Sequence, residues 1–515
     1  MAVSFERIPS NIRVPLFYVE VSARQASYFA QNQVGLLFGP MLATGIATPL
    51  EPVLVTAFDD AVGLFGAGSI LADMVKVYRR NDSMGELWCI GHLDATGSVA
   101  ATGRYPVTGP ATGAGSIYGY IASDRYVTNV PAGATAAQIV QLMCDTVNAD
   151  PFCMVTAAPD AIDPATWVTT AKNAGVIGDD ISITVNLGGI AAGERLPPGV
   201  AIGGGPMQNG VGEPPMADII NAMGDDEYDF IGSPYHDTVS LDALDELMND
   251  LTGRWSWDRQ IYGGVFTAKT GTAQELIDFG RGNAAAGTTG RNGPHVHILG
   301  YARSATPPWR RAAALTAQAA SALRIDPARP LQTLPLVGPR APARGTGFRI
   351  SDKNSLLYSG ISVEMADTTG QVRLQRVVST YQRNAWNQPD PSWLDVQTSY
   401  TLMFVIRFLR QRLLQKFPRH KLADDGTPFG PGQAVATPGI IRTELVAAYS
   451  ELIDMGLVEN MAAFKQHLIV ERNANDPNRV DILFPPDLIN QLRILAMLVE
   501  FRLQYPAAPI GAVAA

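Results

Sequence analysis

Strand-like segments at the two ends of the chain, each without an adjacent partner strand in the sequence, most constrain how this chain can fold. Residues 13–22 read RVPLFYVEVS, and the stretch that follows, ARQASYFAQNQ, is polar and small. Near the other end, VEFRLQY (499–505) alternates apolar and polar residues, which is the period of a strand with one buried face. Because an unpaired strand edge needs a partner, both ends require a sheet formed elsewhere.

A hairpin close to the C-terminal end is a candidate partner. HLIVER (467–472) and RVDILF (479–484) flank the turn-rich segment NANDPN. A two-stranded hairpin is marginally stable in water, and its outer edges can accept further strands. The terminal strands could pair within one molecule, remain as disordered tails, or add to sheets of neighbouring molecules by β-augmentation. Their apolar content disfavours disorder, and periodicity does not decide between the other two.

The chain between these ends is too long for one core, since 515 residues predict roughly two to four domains. Three apolar runs, VGLLFG, PVLVTAF and ELWCIG, predict buried strands, and a helix is expected over residues 69–80. From about Ala95 to Gly205 the chain is rich in Gly, Thr and Ala, with short strand-like segments. The alternation of strands and helices then resumes. This order predicts a wound α/β domain that carries an inserted β-rich domain.

The C-terminal part is predicted to be α+β. The segment SWLDVQTSYTLMFVIRFLRQRLLQKF (392–417) is the longest helix candidate, and Ser392 and Asp395 have capping-box spacing. A second helix is expected over residues 437–455. The predicted division is an N-terminal arm (1–22), an α/β middle domain (23–95 and 206–365), an inserted outer domain (96–205), a C-terminal domain (366–490) and a C-terminal arm (491–515).

Composition excludes several classes of function. A net charge of −9 argues against a protein that binds nucleic acid through its phosphates. The three cysteines form no CxxC pair, which is typical of a reducing compartment rather than of a disulfide scaffold. The first ten residues lack the apolar run of a signal peptide. The most apolar stretch, YTLMFVI, meets Arg407 far short of a membrane span. We therefore expect a soluble protein made in the cytoplasm, with no membrane insertion.

Two motifs invite an interpretation as active or binding sites. The segment AKTGT contains the KTG box of penicillin-binding proteins at Lys269 and Thr270, but the Ser-x-x-Lys nucleophile motif that accompanies it occurs nowhere in the chain. We expect a polar turn leading into a helix at Ala273. The segment GLFGAGS (63–69) precedes a helix but lacks the Walker lysine and the dinucleotide spacing, which favours a flexible turn with a helix start.

Two further clusters have structural explanations. The segment HVH places His295 and His297 on one face of a strand, and no recognised set of further metal ligands lies nearby. A structural or solvent-facing pair is expected. The acidic segment DALDELMND (242–250) is interpreted as a solvated helix face, with a lateral contact to basic residues of another subunit as the alternative. No catalytic residue, cofactor or metal ligand is predicted.

Four segments together resemble one protein family. They are IPSNIRVPLFYVEVSARQA (8–26), KNAGVIGDDISITVN (172–186), GRWSWDRQIYGGVFTA (253–268) and DVQTSYTLMFVIRFLRQRL (395–413). In this order they resemble segments of the contractile tail sheath proteins of Mu-like bacteriophages. The likeness extends over nearly the whole chain, and its specificity lies in the order of the segments.

The resemblance implies a small C-terminal sheet that is completed by strands from two neighbouring subunits. The N-terminal arm strand would contain Val14, Leu16, Phe17, Tyr18, Val19 and Val21. The C-terminal arm strand would contain Val499, Phe501, Leu503 and Tyr505. The receiving hairpin would contain Leu468, Ile469, Val470, Val480, Ile482 and Leu483. Segments near 22–33 and 484–490 are expected to act as hinges. Arg407, Arg410, Arg412 and Lys416 either face an acidic tail tube or are solvated charges near a helix end.

The function implied by the resemblance is that of a structural subunit without enzymatic activity. Copies would form a helical stack of rings, hexameric as in the family, around a tail tube, with baseplate and tail terminator proteins as further partners. Contraction would drive the tube through the host envelope and deliver the genome. The protein would be assembled in the host cytoplasm and reside in the virion tail. The alternatives are the sheath of a related contractile injection particle, of the pyocin or secretion-system type, and a serine hydrolase of penicillin-binding type centred on the KTG box.

Overall fold

The computed structural model describes residues 33–503, except residues 284 and 286, and these residues form several sheets and helices. This mixed α/β, multidomain architecture confirms the predicted fold class. The first part of the chain contains β1 (Gly35–Pro40), β2 (Pro52–Leu54), α1 (Phe58–Phe65), α2 (Ile70–Asn81) and β3 (Leu87–His92).

The second part of the chain is rich in β-structure. It contains β4 (Thr102–Thr108), β5 (Gly115–Ile121), β6 (Asp124–Val130), α3 (Ala136–Asn148), β7 (Val155–Pro159), β8 (Thr166–Ala171), β9 (Ile183–Val185) and β10 (Ala201–Ile202), with 3-10 helices at Val176–Asp180 and Ile190–Ala192. Strands β10, β4, β8 and β7 form one antiparallel sheet, and β6, β5 and β9 form another. Helix α3 packs against both sheets.

The third part of the chain returns to alternating strands and helices. It contains α4 (Met216–Met223), β11 (Phe230–Gly232), α5 (Thr238–Met248), β12 (Gly264–Thr270), α6 (Ala273–Arg281), β13 (Gly282–Asn283), β14 (Thr288–Thr289), β15 (Val296–Tyr301), α7 (Pro308–Ile325), β16 (Pro335–Arg340), α8 (Ile350–Leu357), β17 (Ile361–Ala366) and β18 (Gln371–Arg376).

A nine-stranded sheet unites the first and third parts in the order β16-β18-β17-β15-β12-β11-β1-β3-β2. The central strands β17 to β3 run parallel, and antiparallel strands lie at both edges. Strand β1 pairs with β11, so the chain leaves the sheet after β3 and returns to it beyond the β-rich part. Such parallel strands are covered on both faces, which explains why their sequences are apolar runs rather than alternating patterns. The exact domain boundaries stay a prediction.

Hydrogen bonds at the starts of α1 and α2 fix where these helices begin. The expected strand PVLVTAF is shortened to β2 because α1 begins at Phe58, where the Ala57 N–H donates to the Asp60 carboxylate at 3.0 Å. Ser69 caps α2 by accepting from the Ala72 N–H at 3.2 Å. Residues 66–69 of the segment GLFGAGS thus form the expected turn with a helix start, whereas its first three residues end α1.

The last part of the chain forms a second, smaller hydrophobic core. It contains α9 (Val396–Lys416), β19 (Lys421–Leu422), β20 (Val435–Ala436), α10 (Pro438–Asp454), α11 (Met461–His467), β21 (Ile469–Arg472) and β22 (Val480–Leu483). Helix α9 joins the two cores, since Tyr400 and Met403 lie in the first and Val405 and Phe408 in the second.

The predicted capping box at the start of α9 is wrong. The helix begins at Val396, and its preceding residue, Asp395, makes no side-chain cap. Its carboxylate instead accepts from Arg376 at 2.9 and 3.0 Å. Ser392 donates to Asp390. Pairing with the half-buried Arg376 replaces the cap here, because a two-point hydrogen bond between a guanidinium and a carboxylate contributes more than a single capping hydrogen bond.

Candidate functional site

The predicted receiving hairpin is present as β21 and β22. The strands pair antiparallel, with Ile469 opposite Leu483 and Arg472 opposite Val480. They form a two-stranded sheet among the described residues, so neither outer edge has a partner strand there. The Asn473 side chain closes the long loop by accepting from the N–H groups of residues 475 and 476. This part of the chain therefore presents open strand edges of the kind that accept an added strand.

The hairpin has one supported side and one exposed side. Val470 and Val480 pack against the second core, and Leu468 is buried in it. Ile469, Ile482 and Leu483 are exposed apolar side chains. The six predicted receiving residues thus divide into three that anchor the hairpin and three that are left in contact with water.

Aromatic packing holds the base of the hairpin rigidly. The rings of Tyr449 and Phe464 stack at 3.7 Å, and Phe484 meets the Phe464 ring edge-on at 4.9 Å. Arg442 donates to the carbonyl oxygens of Leu468 and Lys465 at 2.5 and 2.7 Å. Stacked and edge-on aromatic pairs stabilise the packing beyond the area that they bury, so the base of the hairpin is held by the core of its own chain.

The segment that follows the hairpin does not fit the expected hinge at 484–490. Leu488 bridges to Val458, and the Ile489 N–H donates to the Leu457 carbonyl at 3.1 Å. The Glu459 N–H donates to the Asp487 carbonyl at 2.9 Å. These contacts bind residues 484–489 to the second core. The chain leaves the core further along than the sequence indicates.

Arg493 fixes the point at which the chain leaves the body of the protein. Its guanidinium donates to Asp395 at 3.1 Å and to Gln397 at 2.7 Å, and Gln332 donates to the Leu492 carbonyl at 3.2 Å. Burial lowers the pKa of Arg493, although Asp395 opposes that shift. Sequence reasoning missed this anchor, because Asp395 was assigned to a helix cap.

Beyond this anchor the chain is extended and apolar over residues 494–503. From here on, the C-terminal arm means these residues only, which belong to the predicted arm at 491–515. No helix or strand is formed by it. Its apolar side chains are exposed: Ile494, Leu495, Met497, Leu498, Val499, Phe501 and Leu503. Exposed apolar runs of this size are typical of surfaces that interact with another molecule.

The predicted arm strands lie partly or wholly beyond the described residues. Val499, Phe501 and Leu503 are 73%, 81% and 96% exposed, and they pair with no described strand of this chain. Tyr505 lies outside the described residues. So do all residues of the predicted N-terminal arm strand: Val14, Leu16, Phe17, Tyr18, Val19 and Val21. Both strand assignments stay predictions.

The basic residues of α9 have partners within the chain. Arg407 donates to Asp229 at 2.5 Å and to Glu227 at 3.1 Å. Arg412 donates to Glu444 at 2.5 Å and also to Glu451, and Lys416 bonds Glu444. Burial raises the pKa of Glu444, but the hydrogen bonds from Lys416 and Arg412 outweigh burial and lower the pKa overall.

Arg410 differs from these three residues. It is exposed, and no carboxylate lies within 4.0 Å of it among the described residues. The hypothesis that the four residues face a tail tube stays a prediction. Within the described part of the chain, Arg410 is therefore the residue of these four whose charge is available to another molecule.

The KTG box lies at the end of a strand, so the expected polar turn is limited to the two residues between β12 and α6. Lys269 and Thr270 end β12, and Thr272 caps α6 by accepting from the Glu275 N–H at 3.2 Å. The Lys269 ammonium lies 3.2 Å from His236 and 4.5 Å from the centre of the Phe279 ring. Burial lowers the pKa of Lys269. These contacts pack the lysine side chain against an imidazole and an aromatic ring.

The two histidines of HVH are structural rather than solvent-facing. His295 stacks on Trp255 at 3.8 Å and bonds Asp250 at 2.9 Å, and the buried His297 bonds the Val378 carbonyl at 3.2 Å. Burial lowers the pKa of both, to about 3 for His297. Within the described part of the chain, no cluster of three or more His, Cys, Asp or Glu side chains is placed to hold a metal ion.

The acidic helix also has a partner inside the molecule. Arg291 is buried and donates to Asp242 at 2.6 Å and to Asp245 at 3.5 Å. Burial raises the pKa of Asp245 to about 6. The helix face interpreted as solvated is therefore exposed in part and paired with a cation of its own chain in part. None of the helices in the described ranges is long and apolar enough to cross a bilayer.

Comparisons with known proteins point in one direction. Residues 209–380 match the family model described as the phage tail sheath protein central domain, and residues 388–502 match the phage tail sheath C-terminal domain. The chain is 37% identical over 504 residues to the Mu-like prophage FluMu tail sheath protein of Haemophilus influenzae, an alignment that covers 97% of this chain and 100% of that protein.

Solved structures of sheath proteins show a more distant likeness. A sheath tail protein from Desulfitobacterium hafniense is 13% identical with a TM-score of 0.43, covering 92% of this chain and 100% of that chain. The helical sheath of the anti-feeding prophage in its contracted state is 11% identical with a TM-score of 0.45, covering 96% and 100%.

Proposed function

The chain belongs to the Mu-like phage tail sheath family, and on that premise we propose that its copies interlock through exchanged terminal strands into a helical sleeve around a tail tube. As a tail sheath protein it is a component of the phage tail. In the proposal, hexameric rings stack between a baseplate and a tail terminator, and assembly takes place in the host cytoplasm. None of the relatives named above supports the serine hydrolase alternative, and the family supports a structural role.

The observation that carries this proposal is the exposed C-terminal arm, present together with a hairpin that has open edges. Val499, Phe501 and Leu503 recur at every second residue, which is the period of one face of a strand. Burying each of them would contribute roughly 1.5–3 kcal/mol. About six ladder hydrogen bonds would add roughly 0.5–1.5 kcal/mol each. Such a joint is strong enough to keep subunits connected while they move.

The anchor at Arg493 separates a packed part of the chain from a part that, in the proposal, bends. Residues up to Ile489 pack on the second core, Arg493 is the last anchored residue, and the arm begins directly after it. We propose that the first arm residues bend, so that rings can rotate and approach each other while the strands stay inserted. Contraction would then draw on free energy stored during assembly and drive the tube through the host envelope, delivering the genome.

Electron microscopy of the purified protein tests the proposal. The full-length chain is expected to form long hollow tubes. Deletion of residues 1–22, or of residues 494–515, is expected to leave a folded protein that no longer polymerises. Circular dichroism and thermal unfolding would establish that both truncated proteins are folded. Tubes formed by either truncated protein would show that the corresponding arm does not connect subunits.

The tail-tube contact is tested separately through Arg410. We propose that this residue contributes a positive charge to the tube-facing surface, because Arg407, Arg412 and Lys416 are already paired within the chain. Arg410→Gln is expected to weaken co-assembly with the tail tube protein without altering tube formation by the sheath protein alone. Unchanged co-assembly would show that Arg410 is a solvated residue that does not contact the tail tube.

A further inference from the structure

A small polar cleft lies where the inserted β-rich part meets the nine-stranded sheet. Its volume is about 150 Å³, and it is lined by residues of α2, of the turn between β5 and β6, of the start of α7 and of β16. Its charged lining consists of Lys76, Arg80, Asp124, Arg310 and Arg340. Three separate parts of the chain therefore bring four cationic side chains to one place.

The charges in and directly behind this cleft do not balance. Arg310, 5% exposed, donates to Asp73 and Asp124 at 2.7 Å, and Lys76 lies 3.6 Å from Asp124. These two carboxylates compensate two of the four cations. Two positive charges remain in excess, in a chain whose net charge is −9.

The excess charge belongs to Arg80 and Arg340. Both are exposed, and neither has a carboxylate within 4.0 Å among the described residues. The Arg340 backbone is fixed, since its N–H donates to Thr306 at 2.8 Å. Its guanidinium lies 5.2 Å from the centre of the Tyr120 ring. An arginine whose backbone is fixed, and whose guanidinium has no carboxylate nearby in the described part of the chain, is available to an anion.

The cations around Asp124 make the potential in the cleft positive. Burial raises the pKa of this carboxyl group, but the attraction of Arg310, Lys76 and Arg80 outweighs burial and lowers the pKa overall. A positive potential that stabilises one carboxylate also favours a second anion nearby.

We propose that this cleft binds a small oxyanion with two negative charges, namely inorganic phosphate or the phosphate group of a monoester. The guanidinium groups of Arg80 and Arg340 supply planar pairs of donors that match phosphate oxygens. The cleft holds more than one water molecule but is smaller than the roughly 300–1,000 Å³ typical of pockets for larger ligands. A bound anion would connect α2, the Ser123–Asp124 turn and β16, and so fasten the inserted part to the sheet.

Calorimetric titration of the full-length protein with sodium phosphate tests the site, at a pH at which phosphate is a dianion. Sodium chloride at equal ionic strength controls for general screening of charge. Phosphate is expected to bind and chloride to give no saturable signal. Arg80→Gln and Arg340→Gln are each expected to weaken phosphate binding roughly 10- to 100-fold, because each removes charge-assisted hydrogen bonds. Arg419→Gln, at an exposed arginine outside the cleft, is the matched control and is expected to bind phosphate normally.

A substitution that makes the cleft more positive distinguishes anion binding from loss of structure. Asp124→Asn removes a negative charge from the cleft and is expected to tighten phosphate binding, whereas damage to the fold would weaken it. Binding that is equal for phosphate and chloride, that falls equally in Arg419→Gln, or that weakens in Asp124→Asn would overturn the proposal. A parallel titration with glycerol phosphate distinguishes inorganic phosphate from a phosphate monoester. Saturable binding of either compound supports the site, and the compound that binds more tightly identifies the ligand.

Discussion

Substitution of Phe501 by serine tests the role of the C-terminal arm with a single change. The side chain is 81% exposed in the single chain, so its removal takes little from the folded subunit. If it is buried between subunits in the assembled sleeve, the assembled state loses roughly 1.5–3 kcal/mol per subunit. Each 1.4 kcal/mol corresponds to about a tenfold change in an equilibrium constant. The critical concentration for polymerisation is therefore expected to rise roughly 10- to 150-fold.

Two measurements are needed to interpret this substitution. Sedimentation of assembled tubes over a range of protein concentrations gives the critical concentration. Thermal or chemical denaturation of unassembled protein gives the stability of the subunit, which is expected to change by no more than about 0.5 kcal/mol, as for other exposed sites. A rise in critical concentration without a loss of subunit stability locates the contact of Phe501 between molecules.

Glu500→Ser is the matched control, because the adjacent residue points to the opposite face of an extended strand. Its effect on the critical concentration is expected to be small. The reasoning is refuted if Phe501→Ser leaves the critical concentration unchanged or changes it no more than Glu500→Ser does. It is equally refuted if Phe501→Ser destabilises the unassembled subunit, since the arm would then pack on its own chain.

Three further predictions concern the body of the subunit. Arg493→Gln removes the anchor to Asp395 and is expected to make the arm and the preceding residues more sensitive to limited chymotrypsin digestion, with little change in the melting temperature; unchanged cleavage would show that Arg493 does not hold the segment. Arg311→Met leaves the 8% exposed Glu364 without its bidentate partner and is expected to cost roughly 3–5 kcal/mol in chemical denaturation, whereas a cost near zero would show that Glu364 is neutral or hydrated. His297 has a folded-state pKa of about 3, below its unfolded value, so its contribution is present above pH ~6.5 and is lost as the pH falls toward 3. His297→Gln is therefore expected to show a smaller loss of unfolding free energy on acidification than the unsubstituted chain, and an equal pH dependence would contradict this assignment.

Much of the architecture could be predicted from the sequence because the signals are local. Continuous apolar runs specify the buried parallel strands, and the return of the strand–helix alternation after residue 205 indicates an insertion. The hairpin follows from two short strand-like segments around a turn-rich loop, and β21 and β22 confirm it. These features depend on side chains a few residues apart, which periodicity reports directly.

Contacts between residues distant in sequence could not be predicted in the same way. The spacing of Ser392 and Asp395 suits a helix cap, but Asp395 instead pairs with Arg376 and Arg493. The segment 484–490 looks like a linker, yet it packs on the second core. A local pattern states what a residue can do with its neighbours. It does not state which distant cation or apolar surface competes for that residue.

Hydrophobic period and turn residues predict strand-like segments at both ends and an α/β domain that is interrupted and resumed, because these patterns are properties of the amino-acid order alone. Only long-range packing shows where the arm leaves the body and which charges on α9 are compensated. It also brings Arg80 and Arg340 to the lining of one cleft, where neither has a carboxylate within 4.0 Å in the described part of the chain. Burial and charge balance depend on how distant segments pack together, and that environment sets the electrostatic free energy.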